Sequence, residues 1–180
     1  MTDSDLSAHF EAVFRAHHRA VLGYALRRCD PDTAQDVVAD TFLVCWRRID
    51  EVPSDVRPWL FGVARKAIAN RRRGVRRTRS LNERAAGATA GVHGRDPGEL
   101  LSERQGIRAA FAQLSERDRE LLSLVAWERL DYAAAARALG CTRATFTVRL
   151  HRARRRLAAR LEETDTAHVA ATTTSIREPA

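Results

Sequence analysis

Lysine is nearly missing from this chain. Of 31 basic side chains in 180 residues, only Lys66 is a lysine and the other thirty are arginines. A GC-rich genome inflates arginine at the expense of lysine, so the positions of the charges carry more meaning than their number. Cysteine is also scarce. Cys29, Cys45 and Cys141 are an odd set with no CxxC and no Cys/His pairing at metal spacing, which excludes a disulfide scaffold and a zinc module. They read as small buried side chains in a reducing compartment. No apolar run approaches the roughly 18 residues that a membrane-spanning helix needs, and no signal peptide opens the chain. The expectation is a cytoplasmic protein with no membrane insertion. Catalytic apparatus is lacking as well. His17 and His18 are adjacent and cannot share a helical face, and no carboxylate cluster, Gly-rich phosphate loop or nucleophile motif accompanies them. No catalytic residue, metal site or cofactor is expected.

What is present is segregated charge. Residues 65–79 carry eight basic side chains and no acid, and residues 143–160 carry seven and no acid. The remainder holds sixteen basic groups against all 23 acids, so two positive segments sit on an acidic scaffold. Such asymmetry suits a polyanion better than it suits general solubility. A pair of solvated helix faces is the blander reading of the same charges.

The periodicity predicts an all-α chain. Leu6, Phe10, Val13, Phe14, His17, Val21 and Tyr24 recur at helical spacing over 5–28. Asp30 then caps and Pro31 opens a second helix to about Ile49, with Val38, Phe42, Cys45 and Ile49 buried and Asp36, Asp40 and Arg47 on another face. After the break at 50–56 a third helix begins near Pro58. Its apolar stripe is Leu60, Val63, Ala64, Ala67 and Ile68, and Trp59 is assigned to the core. Residues 80–98, rich in Gly and Ala without periodicity, read as a flexible linker. The chain is thus two small helical domains, 5–79 and 99–163, followed by a 164–180 tail read as disordered.

The second domain carries a recognisable arrangement. Leu100, Ile107, Phe111 and Leu114 suggest one helix, and Ser115 with Asp118 suggests a capping box opening the next. Asp131 caps the short helix YAAAARAL, Gly140 ends it, and Thr142 caps a long basic helix. A short helix, a Gly-containing turn and a longer basic helix form the helix-turn-helix pattern, whose second helix enters the major groove. Phe146, Leu150, Ala153 and Leu157 point inward. Ala144, Thr147, Val148, His151 and Arg155 lie opposite with Arg152 beside them, suited to base edges. Arg143, Arg149, Arg154 and Arg156 suit phosphates or acidic neighbours.

LSERDRELLSLVAWERLDYAAAARALGCTRATFTVRLHRARRRL (114–157) resembles the promoter-binding domain of the extracytoplasmic-function sigma factors of bacterial RNA polymerase. AQDVVADTFLVCWRR (34–48) resembles their core-polymerase-binding helix, and RPWLFGVARKAIANRRRGVRR (57–77) resembles their −10 reading segment. The resemblance implies a sigma factor whose partners are the β′ and β subunits of the polymerase core, promoter DNA and an anti-sigma factor. It assigns Arg143, Ala144, Thr147, Val148, Arg149, His151, Arg152 and Arg155 to the −35 duplex. It assigns Arg57, Arg65, Lys66, Asn70, Arg71, Arg72 and Arg73 to the −10 element. Asp36, Val37 and Asp40 go to core polymerase, although on the residues alone the two aspartates fit a solvated face equally well. A base must leave the stack before its Watson–Crick edge can be read, and the family builds the pocket for it from the loop Asp50–Val56, with Trp59 and Phe61 as possible contributors.

The chain departs from the family at Lys66, where many members have Asn, and at Asn70, where many have Asp. Thr147 and Val148 replace common Lys/Arg and Ser. They can meet a thymine methyl but cannot make a bidentate contact to guanine, so the preferred −35 sequence should differ from that of other members. An autonomous helix-turn-helix regulator would explain 114–157 but leaves the acidic helix and RPWLFGVARK without a role. A nuclease or metal-dependent hydrolase has no motif to support it.

Overall fold

Asp30 acts as the sequence suggests: its Oδ1 accepts from the Thr33 N–H at 2.9 Å, and Pro31 occupies the first helical position, where a missing N–H costs nothing. This capped junction separates α1 (Asp3–Leu26) from α2 (Pro31–Arg47). A 3-10 turn (Ile49–Glu51) leads to α3 (Val56–Glu83), and α4 (Ser102–Ala112), α5 (Glu116–Ala126), α6 (Tyr132–Leu139) and α7 (Arg143–Ser175) complete the order. The structure is a computed structural model that describes residues 3–83 and 102–175; among these there is no strand. Two compact units result. The first holds α1–α3, the second α4, α5, α7 and most of α6.

In the first unit the three helices pack pairwise around Val21, Tyr24, Val37, Val38, Phe42, Cys45, Leu60, Phe61 and Ile68, all buried. Tyr24 and Phe61 stack with centroids 4.9 Å apart, joining α1 to α3. Each such ring contributes about 1.5–3 kcal/mol by leaving water. Phe61 is therefore core and cannot stack on an extruded base, contrary to the part suggested for it. Trp59 is half-buried rather than core. Cys45 is buried and Cys29 and Cys141 are half-buried; loss of solvent raises the thiol pKa of Cys29 and Cys45.

In the second unit α4 and α5 pack on α7 through Leu114, Leu121, Leu122 and Leu124, with Phe146, Leu150 and Ala153 from α7. Ser115 caps α5: its Oγ accepts from the Asp118 N–H at 3.1 Å and donates to Asp118 Oδ2 at 2.8 Å. That carboxylate also receives Arg156 Nη1 at 2.9 and 3.0 Å, so the cap doubles as the anchor between α5 and α7.

Two boundaries move. Residues 80–83, expected in the linker, continue α3, and residues 164–175, expected as a disordered tail, continue α7. Both extensions prolong a helix that is already nucleated, and adding residues costs far less than starting one. The remaining linker residues, 84–98, and 176–180 lie outside the described residues.

Candidate nucleic-acid interface

The helix-turn-helix is built from backbone chemistry that the sequence announces. Asp131 Oδ1 accepts from the Ala134 N–H at 2.8 Å, starting α6. At its end Gly140 takes φ +66°, and the N–H groups of Cys141 and Gly140 donate to the Ala136 and Arg137 carbonyls, both at 3.0 Å. These are the two bonds of a Schellman cap, which needs a left-handed residue where glycine stands. Thr142 Oγ1 then accepts from the Thr145 N–H at 3.2 Å and opens α7. Phe146, Leu150 and Ala153 are buried and Leu157 half-buried, which fixes the rotation of α7 about its axis.

That rotation exposes all eight residues assigned to duplex DNA: Arg143, Ala144, Thr147, Val148, Arg149, His151, Arg152 and Arg155. Val148 is 52% exposed, an apolar side chain left on the surface of a charged helix. The arginines of α7 divide into two groups. Arg154 donates to the Tyr132 hydroxyl at 3.1 Å, Arg156 is held by Asp118, and Arg160 pairs with Glu163 at 2.6 Å. Arg143, Arg149, Arg152 and Arg155 make no ion pair with any described residue. Their charge is uncompensated and faces outward.

The seven residues assigned to the −10 element are not brought together as one patch. Lys66, Asn70 and Arg73 are exposed, with Arg73 donating to Asn70 Oδ1. Arg65 and Arg57 are half-buried, and the Nε of each is enclosed without an acceptor. The Arg57 guanidinium lies 5.5 Å from the centre of the Phe61 ring. Arg72 turns inward and donates to the Arg28 carbonyl at 2.8 Å.

Arg71 reaches across to α2. Its Nη1 donates to Asp36 Oδ2 at 2.9 Å, and its Nη2 and Nε donate to Asp40 Oδ2 at 2.7 and 3.2 Å. The bond to Asp40 is the main cause of a raised Arg71 pKa. Two groups that sequence reasoning sent to different partners thus hold each other. Asp36 and Asp40 remain 61% and 48% exposed, so they are reachable from solvent despite the pairing. Val37 is not: it is completely buried, and a contact role for it is corrected to that of a core residue. The face that carries Asp36 and Asp40 continues one turn on to Leu43, 46% exposed, which periodicity reasoning missed. The signal was available, since 36, 40, 43 and 47 follow helical spacing.

Sequence reasoning also missed a recess on α1. It is lined by Ala16, His17, Arg19, Ala20 and, from the first turn of α3, Arg57. Burial first, and the Arg57 charge second, lower the His17 pKa from its ordinary value. Among the described residues no group of three or more His, Cys, Asp or Glu could hold a metal ion, and no helix is long and apolar enough to cross a membrane.

Comparison with known proteins bears on both units. Residues 13–78 match the family model for Sigma-70 region 2, and residues 104–157 match that for Sigma-70, region 4. The chain is similar to the ECF RNA polymerase sigma factor SigL of Mycobacterium tuberculosis (strain ATCC 25618 / H37Rv), with 31% identity over 161 residues, covering 87% of this chain and 91% of that protein. It is similar also to the RNA polymerase sigma factor NccH of Alcaligenes xylosoxydans xylosoxydans, 30% identical over 161 residues and 82% of each chain. Among solved structures it resembles the sigma factor RpoE in complex with the anti-sigma factor NepR from Bartonella quintana. There the TM-score is 0.63 and the identity 26%, covering 85% of this chain and 96% of that one.

Proposed function

The chain belongs to the extracytoplasmic-function sigma factors of bacterial RNA polymerase, which direct promoter-specific transcription, and from that premise we propose a division of labour among its helices. Helix α7 grips the intact −35 duplex. The observation that carries this is the partition of its arginines: the four whose side chains make neither a hydrogen bond nor an ion pair with a described residue flank an outward face of Ala144, Thr147, Val148 and His151. Arg143 and Arg149 hold phosphates on either flank, while Arg152 and Arg155 reach toward base edges. Thr147 and Val148 select against guanine at the position they meet and for a thymine methyl.

Helix α3 engages the opened −10 strand through Lys66, Asn70 and Arg73 on its exposed side, with Arg65 and Arg57 nearer the loop Asp50–Val56. Helix α2 docks on a basic surface of core polymerase through Asp36, Asp40 and Leu43. Exposed ion pairs are worth about 0.2–1 kcal/mol each, so a strongly basic partner can take the aspartates from Arg71 at little cost. Arg71 is then returned to solvent beside the DNA-facing side of α3, linking polymerase binding to DNA binding. An anti-sigma factor that covers α2 would block the same exchange.

The test is binding of genomic promoter fragments by the purified chain with and without core polymerase, followed by transcription and start-site mapping. Specific binding and defined starts are expected only with core added. Tight, sequence-specific binding by the chain alone would favour an autonomous regulator and overturn this reading.

A further inference from the structure

We propose that the first two turns of α7 read the C5-methyl group of pyrimidines, so that 5-methylcytosine in the −35 duplex is bound as thymine is. Cytosine methylation then strengthens a promoter for this chain. The proposal rests on the reading of α7 above and goes beyond it by naming the chemical group that is recognised, whichever base carries it. Ala144, Thr147 and Val148 stand at i, i+3 and i+4, so their Cβ atoms share one face about 5–6 Å apart. All three are exposed, and Val148 keeps 52% of its surface open. They lie at the amino end of the second helix of the helix-turn-helix, the end that meets base edges.

Polar atoms beside these methyls are committed to the helix itself. The Thr147 hydroxyl donates to the Arg143 carbonyl at 2.9 Å, which leaves the methyl as the group that Thr147 offers. The Thr142 hydroxyl is spent as well, donating to Thr145 Oγ1 at 2.9 Å and accepting from the Thr145 N–H at 3.2 Å. No acid occurs between residues 143 and 160, so this stretch has no carboxylate to accept from the amino group of cytosine or adenine. Phe146, Leu150 and Ala153 are buried, so the methyl face cannot turn aside without exposing the core. His151, one turn beyond Val148, is the first side chain on this face with a ring nitrogen to offer a base.

Thymine and 5-methylcytosine differ at C4, where one carries an acceptor oxygen and the other a donor amino group, but both carry a methyl at C5. Side chains that present methyls alone bond neither C4 group and meet the C5-methyl in both bases. Uracil and unmethylated cytosine present a hydrogen there, and the hydrocarbon contact is lost. Burying one methyl is worth about three- to fivefold in affinity. Methylation adds no charge, so the flanking arginines hold the same phosphates on either duplex.

The experiment measures affinity of the reconstituted holoenzyme for duplexes of a promoter defined by the start-site mapping above. Along the −35 segment each thymine is replaced in turn by uracil. At every position that responds, a C·G pair is then compared with and without the C5-methyl. Wild type should favour thymine over uracil about three- to fivefold at one or two adjacent positions, and 5-methylcytosine over cytosine by a similar factor there. Val148→Ser and Thr147→Ser should each bring both ratios close to one at a single position. Every ratio compares two duplexes on one protein, so any loss of folded protein cancels from it. Equal binding of thymine and uracil throughout, in a promoter whose scrambled −35 segment is not bound, would overturn this proposal and leave the grip of α7 on the duplex standing. A thymine preference without a 5-methylcytosine preference would restrict the face to thymine and sink the claim on methylated cytosine. Ratios that persist in both serine variants would assign methyl reading to other residues and overturn the proposal. Binding unaffected by scrambling the −35 segment would overturn it together with the reading of α7.

Discussion

Gly140 and Arg129 show how one backbone requirement can be met well or badly. Both have positive φ, +66° and +52°, and both follow the end of a helix. Glycine adopts that region without penalty, whereas an L side chain costs about 1 kcal/mol or more there. A Cβ at Gly140 would meet nothing within 4 Å, so Gly140→Ala tests conformation alone. It should destabilise the fold by about 1 kcal/mol. Arg129→Gly should stabilise it by somewhat less, since glycine also gains freedom in the unfolded chain. Urea denaturation monitored by circular dichroism checks both signs. His17 supplies a pH dependence. Its pKa in the fold is lowered by burial and then by Arg57, so the unfolded chain takes up a proton first as pH falls below about 6.5. Its contribution to stability is therefore present above that pH and lost as pH falls through the lowered value. His17→Gln should flatten the decline in unfolding midpoint between about pH 7 and pH 5; an identical decline in the variant would refute the assignment.

At the scale of elements, caps and stripes were legible because they depend on nearest neighbours in sequence. Asp30, Ser115, Asp131, Thr142 and Gly140 each announce a helix end, and each makes the bond its chemistry implies. The α7 surface was legible for the same reason, since four inward residues fix where the rest point. The α3 surface was not. Which arginine turns toward α2 depends on how the two helices cross, and no spacing rule within α3 contains that angle. Arg71 and Arg72 were read as equals of Lys66 and Arg73, yet both are engaged by neighbouring elements. Val37 failed for the opposite reason: lying between two acids, it was read with them, although it points to the other side. The Arg71 bridge yields a prediction of its own. Arg71→Gln should raise affinity for core polymerase a few-fold by uncovering the acids, and Asp36→Asn with Asp40→Asn should abolish that gain. In a double-mutant cycle on stability the coupling should be below about 1 kcal/mol, because all three side chains keep contact with water. Lower core affinity in Arg71→Gln would mean that the arginine shapes the docking face and does not occlude it.

For the whole molecule, the useful quantity is how much positive charge is free to displace counterions, and that is smaller than the composition suggests. Thirty-one basic side chains include many already committed to acids, carbonyls or rings within the fold. On α7 the division is sharp enough to test. Arg152 and Arg155 have no ion pair with any described residue, whereas Arg156 is bound to the nearly buried Asp118. Each duplex phosphate neutralised contributes about 0.9 to the salt slope, so Arg152→Gln with Arg155→Gln should lower the slope of promoter binding by up to about 1.8. Any shortfall measures how far the pair reads base edges instead of backbone. Association with core should be unaffected, because that contact belongs to the other unit. Arg156→Gln should do the reverse. Its promoter slope should hold, but stability should fall by about 1 kcal/mol, discounted for the exposure of the guanidinium, since Asp118 loses its partner between α5 and α7. Of the four arginines in residues 152–156, Arg152 and Arg155 would then bind DNA and Arg156 would hold the helix against its own domain. An equal loss of slope per arginine removed in the two variants would mean that the surface acts as diffuse charge, and that the rotation of α7 set by Phe146, Leu150 and Ala153 has no bearing on how the duplex is held.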